Sequence, residues 1–187
     1  MLKKGDERRQ VLRALGEVFR AQGYEGASLT LMTEATGLGK GSLYHLFPGG
    51  KQQMAAEVLA DIDAWFEINI YAPLREASDP ARAIAAMIAG VDEYFHSGDR
   101  VCLVGMVALG AARDTFAASV ESYFARWQVA LAQLLRRSGL SKSQAQRRAE
   151  DALLTIQGAL VLARARNDAG IFRRALSELA KRLLAAE

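Results

Sequence analysis

Residues 23–51 read GYEGASLTLMTEATGLGKGSLYHLFPGGK, and their spacing predicts two short helices joined by a tight turn. Ser28 is a typical N-cap for the first helix, which is expected to reach Thr36. Gly37 suits the positive φ that such a turn needs. The second helix is predicted over residues 40–46 and is closed by the Phe-Pro-Gly-Gly that follows. This order of elements is that of a helix-turn-helix.

The side chains of this segment divide into an inward and an outward set. The inward set is apolar and is expected to hold the two helices together: Met32, Leu38, Leu43 and Phe47. The second helix would then be free to enter a major groove, with its N-terminal residues toward bases and phosphates. Its outward groups can reach base edges or the DNA backbone: Lys40, Ser42, Tyr44 and His45.

The run Gly23-Tyr24-Glu25-Gly26-Ala27-Ser28, followed by GLGKGSLYHLF over residues 37–47, resembles the DNA-binding domain of the TetR family of repressors. The resemblance covers about residues 8–60, and the PGGK of residues 48–51 is similar to the LmrA-like subgroup. It implies an all-helical homodimer that binds a palindromic operator in double-stranded DNA and holds a small-molecule inducer in its larger C-terminal domain. By position, the resemblance assigns DNA contacts to Ser28, Thr30, Lys40, Gly41, Ser42, Tyr44, His45 and Lys51.

These residues also have structural interpretations. Tyr44 could pack on the first helix, and His45 could be a solvent-facing cap. Ser28 caps its helix in either case, so a phosphate contact is an additional claim. Lys40 and Lys51 alone would be ordinary surface charges, and only their position in the motif favours DNA contacts.

The distribution of charge points to the same N-terminal segment. The 187 residues carry 24 Lys and Arg against 21 Asp and Glu, a net charge of +3. Residues 1–51 hold 8 basic and 5 acidic side chains, whereas the remaining residues hold 16 of each. All the excess positive charge therefore lies around the helix-turn-helix, where an anionic partner would bind.

The remaining composition predicts a cytoplasmic protein with no membrane partner. Cys102 is the only cysteine, so no internal disulfide can form and a reducing compartment is expected. The longest stretch without a polar side chain, residues 101–112, is too short to span a bilayer.

The rest of the chain is rich in Ala and Leu, and the 107 residues after Pro80 contain no proline. Consecutive helices are therefore expected, about nine in an all-α fold. They include a helix from Lys51 that ends before Pro73, a short, almost fully buried helix over residues 101–112, and a last helix that ends at Ala185.

The predicted organisation has two domains. Residues 1–50 are expected to form the helix-turn-helix DNA-binding domain. Residues 51–187 are expected to form a helical domain for ligand binding and dimerisation.

The two last helices each carry an apolar stripe at steps of 3 and 4. Two such seams can form a four-helix interface with a symmetric copy, and the TetR resemblance points to the same helices. The predicted dimer residues are Leu153, Ile156, Leu160, Phe172, Leu176, Leu179 and Leu183. The alternative is that these stripes face the chain's own core. Leu154, Val161 and Leu162 lie off the seam and are expected to serve that core.

Aromatic and sulfur-containing residues cluster on the helices between and could line an apolar cavity. The predicted pocket residues are Trp65, Phe66, Met87, Phe95, Cys102, Met106, Tyr123 and Trp127. The alternative is an ordinary core. Three polar side chains could orient a ligand there: Asn69, His96 and Arg100. A ligand that moves the helix starting at Lys51 would change the spacing of the recognition helices and release the operator.

Two competing functions were weighed. An enzyme is not expected, because the GLGKGS of residues 37–42 has Gly41 between Lys and Ser, which a phosphate-binding loop does not allow. Two histidines and one cysteine are too few for a metal site or a Cys-His dyad, so no metal or cofactor is expected. A helical protein-interaction scaffold without specific DNA binding remains the alternative.

Overall fold

The computed structural model describes residues 4–184, which are almost entirely helical and contain no strand. The α-helices are α1 (Lys4–Gly26), α2 (Leu29–Thr36), α3 (Lys40–Leu46), α4 (Gly50–Phe66), α5 (Ala72–Glu76), α6 (Pro80–Tyr94), α7 (Leu103–Leu109), α8 (Ala117–Arg137), α9 (Lys142–Arg166) and α10 (Gly170–Leu184). A π-helical turn, Glu67–Tyr71, joins α4 to α5. Counted with that turn and α5 as one helix, the described residues form nine α-helices, so the predicted all-α class is confirmed.

The described chain forms two compact units. The first consists of residues 4–64 and Leu103–Glu121, and the second of Trp65–Cys102 and residues 122–184. The helix-turn-helix lies in the first unit, and α6, α9 and α10 lie in the second. The predicted boundary after residue 50 divides the chain by role rather than by packing, and it stays a prediction.

The turns of the helix-turn-helix form as their residues predict. Gly23 interrupts the helical geometry within α1 at φ 68°, and Gly37 takes φ 68° after α2. Ser28 caps α2, because its hydroxyl accepts a hydrogen bond from the Leu31 amide at 3.3 Å. These local interactions fix where α1 and α2 end before any long-range contact is needed.

The helix that contains Pro73 was predicted incorrectly. It does not end before this proline but continues through the π-helical turn into α5, which ends at Glu76. In the turn, the Ala72 amide donates to the Glu67 carbonyl five residues back. A proline ring clashes with the carbonyl four residues earlier in a regular α-helix, and the wider π turn relieves this clash.

The segment after α6 also departs from the prediction. The expected break forms at residues 96–98, which all take positive φ. However, α7 is not almost fully buried: Leu103, Val104 and Val107 are buried, but Leu109 is 88% exposed. Among the described residues no single helix is long and apolar enough to cross a membrane, and one bent pair, α7 with Ala111–Arg137, passes by length and composition alone.

The helices α9 and α10 pack on each other within the second unit. A capping box starts α9, because the Ser141 and Gln144 side chains each bond the other's backbone amide. Asn167, at φ 48°, ends the helix in the left-handed conformation. The predicted end of α10 at Ala185 lies outside the described residues.

The prediction for the two apolar stripes of α9 requires correction. All seven residues proposed for the dimer interface are at most 8% exposed in the single chain, so they form the core between α9, α10 and their neighbours. The residues predicted to serve that core are the exposed ones: Leu154 at 65%, Val161 at 62% and Leu162 at 54%. The structure therefore exchanges the roles of the two stripes.

Candidate nucleic-acid interface

The recognition helix α3 presents a polar face and buries an apolar one. Leu43 and Phe47 are fully buried and, with Met32 of α2, form the inward set predicted from the sequence. Leu38 is only half-buried. All five α3 residues assigned to DNA are exposed: Lys40, Gly41, Ser42, Tyr44 and His45. The burial of Leu43 fixes the rotation of α3, and this rotation turns its polar residues outward.

Tyr44 combines both interpretations of its role. Its side chain is 44% exposed, and its ring lies near the start of α4, since a Cβ built on Gly50 would be 3.5 Å from its Cε1 atom. One edge of the ring therefore packs on protein while the other is open to solvent. Such a ring has a fixed orientation and an exposed hydroxyl.

The residues assigned to DNA outside α3 are Ser28, Thr30 and Lys51. Ser28 and Thr30 are exposed at the start of α2. Lys51 is half-buried, and its ammonium donates to the Glu25 carbonyl at 3.0 Å and lies 4.8 Å from the centroid of the Tyr24 ring. This lysine therefore links the first turn of α4 to the end of α1 and has a defined position.

Arg8 is a positioning residue that the sequence gave no local signal for. Its guanidinium donates to the Glu57 carboxylate at 2.5 Å and to the Leu46 carbonyl at 3.3 Å, and it lies 4.7 Å from the Phe47 ring centroid. These contacts tie α1 to α4 and to the C-terminal end of α3. Only the tertiary fold brings them together, because Arg8 lies 38 residues from Leu46 and 49 from Glu57.

Family comparisons identify this arrangement. The model for bacterial regulatory proteins of the tetR family matches residues 11–58. The model for the C-terminal domain of LmrA/YxaF-like transcriptional regulators matches residues 80–178. The chain belongs to the TetR family, in its LmrA-like subgroup.

Individual relatives agree with this TetR-family assignment. The HTH-type transcriptional regulator LmrA of Bacillus subtilis (strain 168) is 28% identical over 162 residues, which cover 84% of this chain and 86% of the relative. A crystal structure of a TetR-family regulator from Agrobacterium tumefaciens matches with a TM-score of 0.81 at 21% identity, over 98% of this chain and 100% of that one. The TetR-family regulator CifR, solved as a cysteine mutant with 26-bp double-strand operator DNA, matches with a TM-score of 0.70 at 24% identity, over 91% and 95%. The chain is therefore a DNA-binding transcriptional regulator and not an enzyme.

The second unit of this TetR-family regulator contains most of the predicted pocket residues in one aromatic cluster. We define the aromatic cluster as Trp65, Phe66, Tyr71, Tyr94, Phe95, Tyr123 and Trp127. Phe66 is its centre, with ring centroids at 4.8 Å from Tyr94, 4.8 Å from Tyr123 and 5.2 Å from Trp127. Met87 and Cys102 are buried in the same unit, whereas Met106 is a half-buried residue of the first unit.

Tyr71 belongs to the aromatic cluster although sequence analysis did not include it. It is fully buried, and its hydroxyl donates to the backbone carbonyl of Tyr123 at 3.0 Å. Arg126 covers its ring at 5.2 Å from the centroid. The polar residues that were predicted to orient a ligand lie elsewhere or at the edge. Asn69 and His96 are exposed, and Arg100 lies 4.9 Å from the centroid of the Tyr94 ring.

Proposed function

We propose that this TetR-family regulator is a cytoplasmic repressor, which binds a palindromic operator as a homodimer and is released by a small apolar or aromatic inducer. The observation that supports operator binding most directly is the exposed polar face of α3, held outward by the burial of Leu43 and Phe47. A helix fixed in this way enters a major groove without rearrangement.

The DNA contacts follow from the chemistry of each exposed group. Lys40, Ser42, Tyr44 and His45 would read base edges or bind phosphates of the groove. Gly41 allows close approach, because a Cβ built there meets nothing within 4 Å and would project toward the DNA. Ser28, Thr30 and Lys51 would bind the sugar-phosphate backbone and fix the register of α3.

A palindromic operator requires two copies of α3 about 34–36 Å apart, or a multiple of that distance. For the homodimer we propose the exposed apolar face of α9, marked by Leu154, Val161 and Leu162. This replaces the seam predicted from the sequence, whose residues are buried within the chain. Exposed large apolar side chains grouped on one helix are typical of a protein interface.

For the inducer we propose the aromatic cluster as the binding site. The helix α4 starts at Gly50, beside Tyr44, and ends at Phe66, the centre of the cluster. A ligand that displaced Phe66 would therefore act on the same continuous helix whose first turn holds Lys51. By linkage, inducer and operator would weaken each other's binding by the same factor.

Operator binding is tested by fluorescence anisotropy with duplexes from the DNA that flanks the gene, over a series of salt concentrations. The wild-type protein should bind one duplex specifically and with a steep salt dependence. Lys40→Ala should weaken this binding, and if the lysine contacts a phosphate it should reduce the slope of log K against log salt by about 1.

The matched control is Lys142→Ala, which removes an exposed lysine at the start of α9 instead. It should leave both affinity and slope unchanged. Equal effects of the two substitutions would contradict the assignment of α3. Equal, weak binding to every duplex would favour the protein-interaction scaffold.

A further inference from the structure

Two polar atoms inside the aromatic cluster lack a hydrogen-bond partner. They are the Tyr123 hydroxyl and the Trp127 indole nitrogen, on side chains that are 1% and 0% exposed. Both residues lie on α8, four positions apart. Residues at this spacing are neighbours on one helix face, so one small molecule can reach both groups.

A buried donor without a partner costs free energy, since the group has lost its hydrogen bonds to water. The neighbouring Tyr71 shows that the cluster can satisfy a hydroxyl, because it donates to the Tyr123 carbonyl. The exceptions at Tyr123 and Trp127 are therefore specific. A molecule that supplied an acceptor to these groups would recover what folding leaves unused.

The chemistry of the two groups determines which ligand group fits. An indole N–H can only donate. Burial raises the pKa of Tyr123 well above its ordinary value, with smaller contributions from Cys102, Tyr71 and Tyr94, so its hydroxyl stays protonated and can also donate. Two donors converging from one helix face are suited to an oxygen acceptor.

The charged groups at the cluster favour an acceptor as well. The guanidinium groups of Arg100 and Arg126 cover the faces of Tyr94 and Tyr71. The carboxylate Glu67 is already paired with Arg75 and Arg126. No acidic group is therefore left to select a cationic ligand at this edge, among the side chains that these pairings involve.

The walls of the cluster determine the shape of the ligand. The rings of Phe66, Tyr94 and Trp65 contact one another at centroid distances of 4.6–5.2 Å, in tilted and edge-on arrangements. A flat aromatic ring can replace or extend such contacts because it offers the same stacking and edge geometry.

We infer that the aromatic cluster binds an uncharged, planar aromatic ketone, whose carbonyl oxygen accepts hydrogen bonds from Trp127 and Tyr123. The inference rests on the proposed inducer site and names the chemical class that it selects. It also assigns the two α8 side chains as the groups that distinguish a carbonyl compound from the parent hydrocarbon.

The test compares two matched pairs of probes, 1-indanone with indane and 9-fluorenone with fluorene, by calorimetric titration and thermal shift. In each pair the skeleton is shared and only the ketone differs. The wild-type protein should bind each ketone about tenfold more tightly than its hydrocarbon. Tyr123→Phe and Trp127→Phe should each reduce this preference and leave hydrocarbon binding within about twofold.

Tyr71→Phe is the matched control, since it removes a tyrosine hydroxyl that already has a partner. It should lower the melting temperature of the ligand-free protein and keep the ketone preference, whereas Tyr123→Phe should lose the preference without lowering the melting temperature. Equal binding of ketone and hydrocarbon would overturn the inference and leave the proposed inducer site standing. Binding of neither pair would overturn the inference too. Operator anisotropy, measured separately, would still decide whether the protein is a DNA-binding repressor.

Discussion

Leu154→Ala provides a direct test of the dimer surface. Fully burying a leucine side chain is worth roughly 1.5–3 kcal/mol. Leu154 is 65% exposed in the single chain, so about two thirds of that value is still available for burial against a partner. A symmetric interface contains the residue twice, and alanine retains part of the contact. We therefore expect a loss of about 2 kcal/mol in dimer stability, which corresponds to a dissociation constant about 30-fold higher.

Sedimentation velocity over a range of protein concentrations measures this constant. The matched control is Leu153→Ala, which changes the adjacent residue, of the same type, that is only 8% exposed. Its truncation should leave a cavity and destabilise the fold by about 2–5 kcal/mol, seen as a lower melting temperature. The dimer constant of the folded fraction should change little.

The two variants separate the two faces of α9. If Leu154→Ala leaves the dissociation constant unchanged, the exposed stripe is not the interface and the proposed homodimer needs another surface. If Leu153→Ala instead weakens the dimer without affecting the melting temperature, the original seam was assigned correctly and the burial of Leu153 has been misread.

Two further predictions concern stability. Gly98 and Gly139 have nearly equal φ, 106° and 108°, but only a Cβ at Gly98 would clash, at 2.7 Å from the Phe172 Cβ. In urea unfolding, Gly139→Ala should cost about 1–2 kcal/mol from backbone strain, and Gly98→Ala about 1–3 kcal/mol more; equal costs would show that the contact relaxes. Hydrogen bonds from Arg75 and Arg126 lower the pKa of Glu67 from its ordinary 4.5, so its ionised form stabilises the fold above that pH and this contribution is lost as pH falls through the lowered value. The stability advantage of wild type over Glu67→Gln should therefore shrink on acidification from pH 7 to 3, and an advantage that is constant with pH would contradict the pairing.

The helix-turn-helix could be predicted in detail because its structure is encoded locally. The positive φ of Gly23 and Gly37 and the Ser28 cap each depend on one residue and its immediate neighbours. The burial of Leu43 and Phe47 then follows from helical spacing. What sequence reasoning could not provide was Arg8, whose three contacts are all made across long stretches of chain.

The α9 stripes show the limit of periodicity. A spacing of 3 and 4 residues identifies an apolar stripe, but it does not say which molecule covers it. The sequence of α9 contains two stripes one position apart, with Leu153 on one and Leu154 on the other. Choosing between them requires knowing where α10 and α6 pack, and that is a property of the tertiary fold.

The π-helical turn explains why Tyr71 escaped prediction and why the aromatic cluster has its form. At about 100° per residue, two positions five apart on an α-helix point about 140° away from each other. Phe66 and Tyr71 would then face different directions, yet both are fully buried with ring centroids 5.9 Å apart. The π turn provides the extra rotation, because it closes a hydrogen bond over five residues instead of four. The irregularity that accommodates Pro73 thus also brings Tyr71 to the backbone carbonyl of Tyr123. Since Tyr71 occupies that carbonyl and not the Tyr123 hydroxyl, the hydroxyl is left available to a ligand.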